Sequence, residues 1–153
     1  MDMLISGRVL NDIDLRYYST ELGLKDFRGF FMRNTLPSKP RRNECGILNL
    51  ETDRENGSHW VAWHKRAKNR FYFDSFGQDI PSELEIYLKS TREYTQNNAV
   101  ILCNSVIVQH LDTSECGRLC LFVLKCLSEN RKFDDILQSL KIRYDNIVSK
   151  TSL

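Results

Sequence analysis

Nowhere in these 153 residues does an uninterrupted apolar run approach the ~18 to 20 residues that a membrane-spanning helix needs. The opening stretch, Met1 to Asn11, lacks the basic start of a secretory leader, so the expectation is an intracellular protein. Internal repeats and low-complexity tracts are missing as well. The one proline-rich spot, Leu36-Pro37-Ser38-Lys39-Pro40, is short enough to be a loop. A net charge of only +2 is too small to imply nucleic-acid binding by itself. The five cysteines are an odd number in a chain without a secretion signal, which argues against a disulfide framework and for reduced thiols. Histidine is scarce: His59, His64 and His110 are the only candidates for an imidazole base.

What is present is ordinary for one soluble domain spanning 1–153, with 41% hydrophobic and 27% charged residues. Two local basic runs, Lys39-Pro40-Arg41-Arg42 and Lys65-Arg66 through Lys68 and Arg70, read as solvated turns. A weak nucleic-acid contact through Lys39, Arg41, Arg42, Lys65 and Arg66 is the alternative reading.

Hydrophobic pattern and punctuation predict an α+β fold. A helix opens at the good N-cap residues Asn11 or Asp12 and runs towards Leu22, with Gly23 as its stop. Cys45 to Leu50 reads as a buried strand and the polar Glu51 to Ser58 as a loop. His59 to Trp63 and Arg70 to Asp74 have strand composition. Pro81 opens a helix with Leu84, Tyr87 and Leu88 on one face. Ala99 to Val108 reads as strand. Cys116 to Leu127 is a helix apolar most of the way round, which belongs in the middle of a fold. An amphipathic helix follows from Phe133 to Ile147, so a small sheet packs around one buried helix.

The sharpest chemical signal is Ser114-Glu115-Cys116-Gly117, at the mouth of that buried helix. A cysteine there sits at the positive end of the helix dipole, which favours the nucleophilic thiolate. Gly117 offers no side chain to obstruct a carbonyl approaching the sulfur. Most free cysteines are small core hydrophobes, and Cys103, Cys120 and Cys126 are read that way. A zinc site from His59, Cys116 and Cys120 is set aside, because helical spacing lacks knuckle geometry. Of the histidines, His64 heads the basic turn and reads as solvated, and His110 as a loop residue without a role. His59 lies at a strand entrance. A hairpin folded about Arg66-Ala67 places it opposite Asp74, and any even-length loop keeps the two on one face. Asp74 can then orient the imidazole. Donors for an oxyanion are the backbone N–H of Cys116 and the amide of Gln109, expected at a strand end just before the nucleophile loop.

Four segments in this order resemble the adenovirus-type (adenain) cysteine proteases, distant relatives of the Ulp-type SUMO proteases. Gly57-Ser58-His59-Trp60 resembles the family's Gly-x-His-Trp, and Phe73-Asp74-Ser75-Phe76-Gly77 its aromatic-acid-x-Phe-Gly element. Gln109 precedes Cys116 by seven residues, the adenovirus spacing, and Ser114 to Cys120 resembles the nucleophile helix with its second cysteine. Glu44 to Asn49 resembles the strand before the histidine loop, so the match runs from Glu44 to Leu127. The resemblance implies a papain-like arrangement in which His59 takes the thiol proton, Asp74 orients it and Gln109 lines the oxyanion hole. Trp60, Gly117 and the Cys116 backbone flank the substrate, with a preference for glycine-containing sites. Asp74-Ser75 is the Ulp-like form, where adenovirus enzymes carry Glu. No pattern in the chain requires a cofactor; the resemblance allows DNA or a peptide activator. Cys103 lies too near Gln109 for the adenovirus peptide disulfide to be carried over. Asn11 to Pro40 resembles proteases of adenovirus-like mobile elements and large DNA viruses, which implies a host cytoplasmic, nuclear or virion-packaged setting.

The leading expectation is an endopeptidase of viral or virus-like structural precursors. A protease removing ubiquitin-like modifiers, and a catalytically idle binding module of the same fold, are the competing readings.

Overall fold

A computed structural model describes residues 11–51, 59–90, 100–111 and 113–151. The segment carrying Gly57 and Ser58 of the histidine motif lies outside the described residues. In chain order the elements are α1 (Asp12–Glu21), β1 (Phe27–Met32), β2 (Asn43–Asn49), β3 (Trp60–Arg66), β4 (Asn69–Phe73), α2 (Ser82–Lys89), β5 (Ile101–Cys103), α3 (Cys116–Ser128) and α4 (Phe133–Thr151). The strands form one sheet in sequence order, parallel at its two outer pairs and antiparallel between β2, β3 and β4.

Strand alternation divides the core between the two sheet faces. Cys45 and Ile47 of β2, Ala62 of β3 and Phe73 of β4 face α3, together with Leu15 of α1 and Phe133, Ile136 and Leu140 of α4. Leu48, Val61, Trp63 and Tyr72 point the other way, onto Leu84, Tyr87 and Leu88 of α2. That second layer is tied by Glu44, which is buried and accepts from Trp63 Nε1 at 2.9 Å and from the Tyr87 hydroxyl at 2.6 Å. As its composition predicts, α3 is buried on most sides, from Cys116 at its first residue to Leu127.

The helix starts follow local chemistry. Asn11 caps α1, its side chain accepting from the Asp14 N–H at 2.9 Å while Asp14 returns the bond to Asn11 N at 3.1 Å. Gly23, at φ +59°, ends that helix in the left-handed region open to glycine.

Several expectations are corrected. β1 went unread: its residues are uniformly half-buried, without the alternation that marks a strand, and its ladder is interrupted between Phe27 and Phe30. The hairpin turns at Ala67-Lys68, closed by the pair Arg66–Asn69, two residues out of the expected register. Ala67 takes φ +53°, an unfavoured conformation held by bonds from its N–H to Arg42 O and Asn43 Oδ1. The strand expected over 99–108 is reduced to β5, and 104–108 leaves the sheet. His64 is not solvated but sits within β3 against Phe71, only 6% exposed. Lys65 is likewise buried, not on a solvated turn, because its ammonium donates to the carbonyls of Arg41 and Arg42. Arg70 is buried too, its Nε bonded to Leu88 O. Lys39, Arg41 and Arg42 are exposed and Arg66 is half-buried.

Candidate active site

The sheet positions His59, the candidate base. The Leu50 N–H donates to His59 O, fixing the histidine backbone just ahead of β3. Although the hairpin is shifted, its loop length is even, so His59 and Asp74 share a face as parity requires. Their side chains meet, with His59 Nε2 2.7 Å from Asp74 Oδ1. Asp74 is fully buried, and the same oxygen accepts the Phe76 N–H at 2.8 Å. The Phe76 ring lies stacked on the imidazole, with centroids 4.6 Å apart and planes inclined at 21°. With Nε2 committed to Asp74, Nδ1 is the nitrogen left for the thiol of Cys116. That thiol is close enough to influence the imidazole through both hydrogen bonding and charge.

Burial disfavours the charged imidazolium. The hydrogen bonds to Asp74 and Cys116, and their charges, outweigh it and raise the His59 pKa to about 9. Cys116 is 7% exposed at the start of α3, whose cap residue Glu115 supplies no side-chain cap. Glu115 is instead paired with Arg143 of α4 at 2.7 Å, which offsets a negative charge adjoining the nucleophile position.

The other cysteines differ. Cys120 is completely buried, donates to Trp60 O at 3.4 Å, and burial pushes its thiol well above the ordinary range. Burial likewise raises Cys45 to about 12, with Asp26 and Glu44 adding to it. Among the described residues no group of His, Cys, Asp or Glu is arranged to hold a metal ion.

Gln109 is buried, and both ends of its amide are engaged. Oε1 accepts the Ser75 hydroxyl at 2.5 Å, and Nε2 donates to Thr113 O at 2.9 Å. It sits in an irregular segment, not at a strand end. A Cβ on Gly117 would come within 2.7 Å of Leu15 Cδ2, so the glycine makes room for α1. Trp60 is half-buried, edge-on to Phe30 at 5.9 Å, and borders a hollow of about 90 Å³ shared with Asp12 and Arg16.

Residue reasoning missed Asn104. Its amide brackets the Asp74 backbone, accepting from Asp74 N at 2.9 Å and donating to Asp74 O at 2.6 Å. These bonds explain why the chain leaves the sheet after Cys103: a side chain takes over the main-chain groups that a longer ladder would occupy. A polar residue inside an otherwise Val- and Ile-rich run was the available signal.

No protein-family profile matches the chain. A protease of Bovine adenovirus 2 is 25% identical over 125 residues, covering 76% of this chain and 58% of that protein. Among solved structures, the ASFV protease superposes with a TM-score of 0.55 at 16% identity, over 86% of this chain and 62% of its own. The SUMO protease Ulp1 superposes at 0.53 and 13% identity, over 94% of this chain and 78% of its own. The chain therefore spans less than two thirds of the adenovirus and ASFV enzymes it matches. Its fold is that of the adenain- and Ulp-type cysteine proteases.

Proposed function

We propose that the chain is a cysteine endopeptidase of the adenain/Ulp type, with Cys116 as nucleophile, His59 as acid and base, Asp74 as its orienting group and Gln109 as an oxyanion donor. The observation that carries this reading is the His59–Asp74 hydrogen bond beside a cysteine at the mouth of a buried helix. The thiolate attacks the scissile carbonyl carbon, and the carbonyl π pair moves onto oxygen. The backbone N–H of Cys116 and the Gln109 amide receive that oxyanion. As the intermediate collapses, the C–N bond breaks and the His59 proton passes to the leaving amine, giving a thioester. His59 then takes a proton from water, whose oxygen attacks the thioester and releases the acid and the thiolate.

A cysteine only 7% exposed favours a slender, glycine-containing chain as substrate. The likeness to the adenovirus protease supports viral or virus-like structural precursors as the substrate class. Incubation with a peptide library tests this reading: Cys116→Ala and His59→Ala abolish cleavage, whereas Cys120→Ala retains most of it. The Ulp-like Asp74-Ser75 element favours a second reading, removal of ubiquitin-like modifiers. Electrophilic ubiquitin and SUMO probes separate the two: labelling of Cys116 supports the second, and cleavage of peptides without any labelling supports the first.

A further inference from the structure

We infer that Ser75 is the positioning residue that aims the oxyanion donor, holding Gln109 in the one amide orientation that presents N–H groups; this rests on the proposed role of Gln109. An amide side chain can turn by half a rotation and exchange its acceptor for its donors at almost no steric cost. In the wrong orientation Gln109 would offer a lone pair to a developing negative charge. The Ser75 hydroxyl, completely buried, donates to Gln109 Oε1 at 2.5 Å, and Gln109 Nε2 donates one of its two protons to Thr113 O at 2.9 Å. The Thr113 carbonyl, an acceptor only, demands an N–H, and the Ser75 hydroxyl completes the same orientation by donating to Oε1, which leaves the second N–H for another acceptor. Backbone contacts reinforce the link. The Val108 N–H donates to Ser75 O at 2.9 Å, and at Gly77 (φ +68°) a Cβ would come within 2.7 Å of Ser105 O, so segment 105–109 lies tightly against this turn.

Asp74 and Ser75 thus divide their labour. One residue orients the base and its neighbour orients the oxyanion donor, so a single turn after β4 sets both halves of the site. Ser75 touches no reacting atom; it acts through Gln109.

The test combines a substrate-free readout with kinetics. In the 1H–15N spectrum of the wild-type protein, assigned by its loss in Gln109→Glu, the Gln109 side-chain pair appears as two well-separated, slowly exchanging protons. In Ser75→Ala the pair moves together and exchanges faster. On a peptide that the wild type cleaves, Ser75→Ala lowers kcat by roughly tenfold with KM little changed, a share of the loss seen when an oxyanion donor is removed outright. Alkylation of Cys116 by iodoacetamide, which forms no oxyanion, keeps its rate and pH profile. In a Gln109→Ala background Ser75→Ala causes no further loss of kcat. A mobile, rapidly exchanging Gln109 amide in the wild type overturns the inference even if Ser75→Ala does not fold. So does an unchanged kcat, or an equal loss in alkylation and in the Gln109→Ala background. A wild type with an ordered Gln109 amide but no cleavage of any peptide would instead refute the protease reading and leave the Ser75–Gln109 link standing.

Discussion

Asn104 holds Asp74 by both of its main-chain groups, accepting from the N–H at 2.9 Å and donating to the C=O at 2.6 Å. The catalytic acid of the proposed triad is therefore fixed by its own carboxylate contacts and by a side chain from a segment thirty positions further along the chain.

Asn104→Ala leaves the buried Asp74 N–H without its partner, while Asp74 O keeps the Gly77 N–H. An orphaned buried donor costs about 1 to 3 kcal/mol, so the variant is expected to unfold at a clearly lower temperature in a thermal melt. Its kcat falls more than its KM rises, because the carboxylate that orients His59 loses its anchor. Asn104→Asp, which keeps the acceptor but not the donor, falls between the two.

In the proposed mechanism, His59 must be protonated to expel the amine. Since its pKa is raised to about 9, kcat/KM holds through neutral pH and falls as pH rises through about 9. Asp74→Asn removes the charge that sustains this, and the alkaline fall moves towards the ordinary histidine range. A pH–rate profile of both proteins checks the shift and its direction.

His64 gives an acid-side effect on stability. Burial first, and Arg66 second, lower its pKa to about 4 against the opposing influence of Asp26. The unfolded chain takes up this proton near its ordinary pKa of 6.5, whereas the folded protein does so only near 4, so stability drops as pH falls between them. The full span amounts to about 3 kcal/mol, and His64→Gln removes it. Denaturant unfolding at a series of pH values measures the slope in each protein.

Gly117→Ala is expected to strain the α1–α3 contact and cost about 1 to 3 kcal/mol. Leu15→Ala, which clears the atom it meets, recovers part of that cost in the double variant. Chemical denaturation of the four proteins in the cycle tests the coupling. Recovery of peptide cleavage alongside stability identifies the glycine as a packing residue.

Much of this could be read along the chain because it rests on local or periodic features. Asn11 as a cap, the left-handed stop at Gly23 and the apolar length of α3 are each set within a few residues. The sharing of a face by His59 and Asp74 depends only on parity, so it survived a hairpin register that was displaced by two. What escaped is tertiary. Ala67 is a poor turn residue until Asn43 and Arg42 brace it, and Lys65 looks solvated until carbonyls from the chain entering β2 surround its ammonium. The packing of Gly117 against Leu15 was hidden as well, because that side chain comes from α1, a hundred residues earlier. Ser75 has no evident task within Phe73–Gly77 as sequence, because its partner is reached only when the segment after β5 folds back.

The most direct test of the proposed triad is mass spectrometry of the products formed when the purified protein is incubated with a peptide library, alongside Cys116→Ala. New termini produced by the wild-type protein and absent with Cys116→Ala are expected, clustered at glycine-containing sites. The same products at the same rate from Cys116→Ala would contradict the assignment of Cys116 as the nucleophile.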